Sequence, residues 1–177
     1  TRAGTSVLPR ENWNYLDPLV LDATLEFSDD RGFYDSLLDA RQLLEPAAAA
    51  QAAANATAKQ LAQIAAAFED MVAANARDNE AWSQADLEFH TAIINASGNW
   101  VFRQFATAIR AALLASFRLT NRASQSHDYA IARHQDVLDA IRMRRPDAAR
   151  FAMEQLIGTA RMELSDALRV SKPGKQE

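Results

Sequence analysis

Asp86 and His90 stand four residues apart in the stretch Gln84–Ile94, QADLEFHTAII. The apolar spacing there is that of an amphipathic helix, which stacks the two side chains on one face about one turn apart. On a wheel of about 100° per residue, Trp82, Phe89 and Ile93 fall within about 40° of one another, and Asp86 and His90 lie beside them, toward Ile94. Two ionisable groups are therefore expected to point inward. A buried carboxylate needs a metal, a cation or several hydrogen-bond donors. Two other helical patterns carry similar groups. Arg41 falls between Leu37 and Tyr34 on an apolar face, with Glu45 one turn on. His134 sits amid Ile131, Val137, Leu138 and Ile141, and His127 lies two turns earlier, at a helix start where exposure is expected.

One carboxylate and two imidazoles suit a divalent cation: Zn²⁺ first, with Ni²⁺, Mn²⁺ or Fe²⁺ as alternatives. Arg41 offers a planar donor fork for a carboxylate. A cation and an arginine in one helical cavity would hold a small organic acid. Ser116 and Thr120, on the inner side of the helix over 101–120, are candidates for its hydroxyls, although such residues often bond their own backbone. Two rival readings stay open. A histidine on an apolar face is usually a satisfied core residue, and Asp86 with Arg41 would make a structural ion pair. DxxxH with a distant His also shares ligand types with two-His-one-carboxylate iron oxygenases. A metal-dependent oxygenase or hydrolase acting on a small organic acid is thus the alternative function, with Glu45 its only evident spare base. No GxSxG, P-loop, HExxH or di-iron ExxH motif is present.

The chain that must position these groups has 177 residues, 49% of them hydrophobic, with only five Gly and five Pro. That supports one domain, all-α, since an all-β fold needs more turn residues. A net charge of −4 argues against this segment gripping nucleic acid. The absence of cysteine removes disulfide and thiolate chemistry and fits a cytoplasmic location. No apolar run is long enough to span a bilayer, so no membrane partner is expected. Residues 1–14 read as an extended tail. Asn14 or Asp17 is the expected cap of a first helix with Pro18 near its start, running to about Phe27 and offering Leu19, Leu21 and Leu25 for burial. Helices follow over about 31–54, 57–76 with Thr57 as cap, the Asp86/His90 segment ending at Gly98, 101–120, 125–143 and 146–168. That makes six to seven. A kink or break is expected at Pro46, and 121–126 reads as a loop. Gly98 suits a left-handed cap. Residues 171–177 read as a disordered tail.

Arg41-Gln42-Leu43-Leu44-Glu45-Pro46, Ala85-Asp86-Leu87-Glu88-Phe89-His90, Asn95-Ala96-Ser97-Gly98-Asn99 and His134 followed by Val137, Leu138 and Ala140-Ile141 together resemble the FCD effector domain of GntR-type transcription regulators of the FadR subfamily. The likeness covers residues 15–170. It implies an antiparallel helical bundle holding a small carboxylate at its centre. In many members a divalent metal is held there by an aspartate and three histidines. Asp86, His90 and His134 match three of the four, and Arg41 matches the contact to the carboxylate. The fourth position, on the last helix, is Leu156, with Gln155 adjacent but turned away from the inner face. The opening RAGTSVLPR resembles the last strand of the family's winged helix-turn-helix. DNA is therefore expected as a partner only through a missing N-terminal domain, in a homodimer. Asn12–Asp17 resembles a member that senses a sugar acid, which points to such an effector.

Overall fold

In the computed structural model, residues 4, 6–15, 17–27, 31–74, 79–108, 110–123 and 127–170 are described, some of the helical ones for their backbone alone. A 3₁₀ turn at Arg10–Asn12 precedes α1 (Pro18–Phe27), α2 (Arg31–Asn55), α3 (Ala58–Ala74), α4 (Asn79–Ala96), α5 (Trp100–Ala108), α6 (Arg110–Ala123), α7 (Asp128–Arg142) and α8 (Pro146–Val170). No strand occurs among the described residues. The all-α expectation holds. The helix expected over 101–120 is described as two, α5 and α6, on either side of residue 109, and α6 runs on through Ala123 into the expected loop. The 3₁₀ turn likewise replaces part of the expected extended tail. The expected tail at 171–177 lies outside the described residues.

Local chemistry sets the helix ends. The Asp17 carboxylate accepts from the Leu19 N–H at 2.9 Å ahead of Pro18. Thr57 and Gln60 form a reciprocal capping box: Gln60 Oε1 accepts from the Thr57 N–H at 2.9 Å, and Thr57 Oγ1 from the Gln60 N–H at 3.3 Å. Gly98 closes α4 at φ +77°, in the left-handed region that favours glycine. Arg144 donates to the carbonyls of Ala53 and Ala56, at 3.3 and 2.5 Å, and so caps the C-terminal end of α2.

Side-chain links between helices reveal their directions. Along α2 and α8, Arg144 meets Ala53, Gln42 meets the Glu154 carbonyl and Asp39 meets Arg161, so one sequence descends as the other rises. Glu80 with Arg118 and Glu88 with Arg110 set α4 antiparallel to α6. Asn79 with His127 and Asp86 with His134 show that α7 runs in the same direction as α4. The core runs between them through Leu38, Ile64, Met71, Trp82, Phe89, Ile93, Leu138, Ile141, Met153 and Ile157. In α2, Ala48, Ala49, Ala52 and Ala53 are buried, which gives the neighbouring helices a low surface to pack on.

Two expectations are corrected. Of the kink or break expected at Pro46, the break does not occur, because α2 is one helix through that residue. An interior proline costs a hydrogen bond and about 3 kcal/mol, but burial of Leu37 and Leu38 before it and of the alanines after it holds the helix together. Leu19 is exposed, since Leu21 takes the inward position of α1; the Leu25 side chain lies outside the described residues.

Thr57→Ala removes half of the capping box. It should cost about 1 kcal/mol and lower the melting temperature by about 2–4 °C, as measured by circular dichroism. An unchanged melt would mean that the box adds nothing to stability.

Candidate functional site

The inward face of α4 brings the ionisable groups together. Asp86 Oδ1 lies 3.0 Å from His134 Nε2 and 3.3 Å from His90 Nε2. One ligand atom from each of the three residues falls within 4.8 Å of the others, and all three residues are buried. The outer ring nitrogens are also engaged. His134 Nδ1–H donates to the Ala130 carbonyl, one turn back on α7, at 2.7 Å. His90 Nδ1 lies 2.5 Å from Glu45 Oε2 on α2. The other Glu45 oxygen accepts from Arg41 Nε at 2.6 Å. The Arg41 guanidinium lies 4.4 Å from the centre of the Phe117 ring on α6, and the His90 ring tilts against the same ring at 5.3 Å. The result is one chain, Arg41–Glu45–His90–Asp86–His134, crossing from α2 through α4 to α7, with every member at most 6% exposed.

Alternating charge makes this arrangement tolerable. Burial alone would push Glu45 up, but Arg41 and then His90 hold it down at about 2. Burial would raise Asp86 too, yet hydrogen bonds from His134 and His90 keep it well below the carboxylate range. Burial opposes the charged form of His90, and the neighbouring Glu45 and Asp86 overcome that and raise it to about 9.

The donor set fits a divalent cation. Two Nε2 atoms and a carboxylate converge, while both Nδ1 atoms are tied to acceptors outside the cluster, the arrangement that orients imidazole ligands. Arg41 Nη1 is buried with no acceptor among the described residues, as is Trp82 Nε1. Beside Arg41 lies a void of about 10 Å³, bordered by Glu45, Leu44, Ile94, Phe105 and Leu113; it has room for about one water. A cavity of about 570 Å³ opens elsewhere, between the segment around Arg10 and Tyr15 and the apolar side chains Leu21, Phe33, Leu37 and Phe105. No member of the charged chain lines it, and Phe105 borders both spaces.

Asp86, His90 and His134 are thus brought together, and Arg41 joins them through Glu45. Arg41 pairs with Glu45 and not with Asp86, which removes the simple Asp86–Arg41 pair. Ser116 is fully buried on α6, next to Phe117; the Thr120 side chain lies outside the described residues. His127, expected to be exposed, is buried. It stacks on Trp82 at 4.2 Å with 4° between the planes, and its Nε2 lies 3.2 Å from Asn79 Oδ1. Burial pushes its pKa down. Glu45 joins the site as well, bridging Arg41 and His90. Its signal was the Arg41/Glu45 spacing of one turn on a face that must be inward.

The protein is a helical bundle closed around a buried chain of charged side chains. The comparisons fix which kind. Residues 36–159 match the FCD domain, and the chain belongs to that family. It is 35% identical over 164 residues to the galactonate operon transcriptional repressor of Escherichia coli (strain K12), covering 92% of this chain and 71% of that protein. It is 32% identical over 159 residues to the uncharacterized HTH-type transcriptional regulator YieP of the same organism, covering 88% and 67%. Among solved structures, Streptococcus agalactiae GntR shares the fold at a TM-score of 0.67 and 23% identity, over 79% of this chain and 63% of that one. The chain is therefore the effector-binding domain of a GntR-family regulator and not an enzyme, which sets aside the oxygenase or hydrolase alternative.

The raised His90 pKa predicts a pH dependence. The stabilisation it represents is complete below the ordinary value of 6.5 and is lost as pH rises through about 9. The melting temperature of metal-free protein should fall across that window, and fall less in His90→Gln. Equal profiles for the two proteins would contradict the assigned charge.

Proposed function

We propose that this domain senses a small organic acid of the sugar-acid type, held jointly by a divalent cation and by Arg41. One observation carries the reading: His90 and His134 both turn Nε2 toward Asp86 with Nδ1 tied behind, beside an arginine whose Nη1 has no acceptor among the described residues. Asp86, His90 and His134 would hold the cation, Zn²⁺ best suiting the donor set. The bound ion would supply a Lewis-acid anchor for a carboxylate and its neighbouring hydroxyl. Arg41 neutralises the carboxylate, and Ser116 and Thr120 meet hydroxyls. The likeness to the galactonate operon transcriptional repressor supports a galactonate-like acid.

Leu156 is buried on α8 where the resemblance places a further histidine, so water or effector oxygens complete the shell. The effector cannot fit the small void beside Arg41 as it stands. Phe105 lines both that void and the larger cavity, and in this reading its displacement joins the two. Because the larger cavity is walled by the segment around Arg10 and Tyr15 and by Leu21 of α1, occupancy changes how that segment packs. In the whole regulator this shifts the spacing of winged-helix domains on DNA within a cytoplasmic homodimer. DNA affinity then changes only by the difference in effector affinity between the two states.

A thermal-shift screen of hexonates, uronates and other hydroxy acids, with and without chelator, tests the reading. A ligand that binds the native state raises the midpoint by mass action, and chelator should abolish the rise. No shift with any acid would sink the sensor reading; a chelator-insensitive shift would remove the cation from it. Leu156→His supplies the fourth ligand, and Zn²⁺ affinity measured by chelator competition should rise at least about tenfold. An unchanged affinity would place residue 156 outside the coordination sphere.

A further inference from the structure

A cation held by Asp86, His90 and His134 requires both imidazoles to present an unprotonated Nε2. On α7 the backbone ensures this, because His134 Nδ1–H is fixed on the Ala130 carbonyl. Among the described residues, His90 Nδ1 meets no backbone acceptor. Its Nδ1 faces Glu45, a side chain 45 residues away on another helix and only 2% exposed. Glu45 is not a candidate ligand itself, since its two oxygens are turned to His90 Nδ1 and Arg41 Nε, at 2.5 and 2.6 Å.

We propose that Glu45 is the positioning residue of this site: it holds the proton of His90 on Nδ1 and so reserves Nε2 for the cation. The inference rests on the metal-and-acid reading above. The bond lengths favour it. His90 Nδ1 to Glu45 is 2.5 Å, whereas His90 Nε2 to Asp86 is 3.3 Å, so the proton that leaves on metal binding is the one on Nε2. Asp86 is also shared with His134 at 3.0 Å and holds the His90 ring less firmly.

The task needs a carboxylate. Two N–H donors, from Arg41 and His90, meet two acceptor oxygens. Glutamine offers one oxygen and one NH₂. Turned toward Arg41, its NH₂ sets donor against donor. Turned toward His90, it makes Nδ1 the acceptor and moves the ring proton to Nε2, the nitrogen the cation needs. Carboxylate partners of this kind typically change metal affinity by about 10–100-fold.

Zn²⁺ affinity is measured by chelator competition in wild type and Glu45→Gln, with a melt to show that each is folded. Glu45→Gln should bind about 10- to 100-fold more weakly. Co²⁺-loaded protein in H₂O supplies a readout that a merely structural ion pair would not move. Wild type should show an exchangeable, hyperfine-shifted N–H proton on His90 Nδ1, and Glu45→Gln should lose it. Equal affinities with the N–H signal retained would overturn the proposal while leaving the metal site intact. Failure of wild type to take up Zn²⁺ or Co²⁺ would overturn the site reading itself. Should Glu45→Gln not fold, the wild-type spectrum decides alone: ligation of His90 through Nδ1 refutes the assignment.

Discussion

Charge alternation inside a dry core is the constraint on which this domain depends. Arg41, Glu45, His90, Asp86 and His134 occupy positions that a helical bundle of this size would ordinarily fill with leucine. Moving one ion out of water costs several kcal/mol even after relaxation, and leaving one unpaired in the interior costs about 3–5 kcal/mol. Each charge here is offset by the next: a guanidinium against a carboxylate, that carboxylate against an imidazole, and the imidazole against a second carboxylate shared with His134. No member can be removed without exposing its neighbour. The arrangement is poor value as a source of stability, since an apolar substitute of the same shape often does as well or better. Buried ionisable groups held at that disadvantage mark a candidate functional site.

The helices exist to bring that chain together. α4 is central because the one-turn spacing of Asp86 and His90 fixes their separation before any tertiary contact forms. α2 supplies the other one-turn pair, Arg41 and Glu45, and α7 supplies His134 together with the carbonyl that orients it. The alanines of α2 allow close neighbours, and Pro46 sits one residue past Glu45 within a helix that packing keeps intact. Trp82, stacked on His127, and Phe89, edge-on to both His90 and His134 at 5.8 and 5.2 Å, form an aromatic wall around the cluster. That wall keeps the local dielectric low and strengthens every charge interaction inside it.

The larger space near the site is separate from its charges. The room beside Arg41 is about that of one water, whereas the large cavity lies under the segment that leads into α1 and has mainly apolar walls. Phe105 lines both.

Much of this was legible in the chain. Low glycine and proline content and the helical apolar period gave the all-α class, because burial of one face per helix is a local property of spacing. Asp17, Thr57 and Gly98 marked helix ends by chemistry confined to one turn. Asp86, His90, Arg41 and His134 were found because each interrupts an apolar stripe. The pairing was not legible. Whether Arg41 meets Asp86 or Glu45, and whether the outer nitrogen of an imidazole finds a side chain or a carbonyl, depends on how helices remote in sequence are turned against one another. His127 shows the same limit: a helix-start histidine reads as exposed until Trp82 is laid flat against it. By itself the sequence determined that Arg41, Asp86, His90 and His134 go inward, since that is set by their place in apolar stripes of helical period and by the cost of hydrating apolar surface. Only the tertiary structure decided which buried charge neutralises which, because that choice depends on distances of a few ångströms between helices, and one-dimensional spacing holds no record of them.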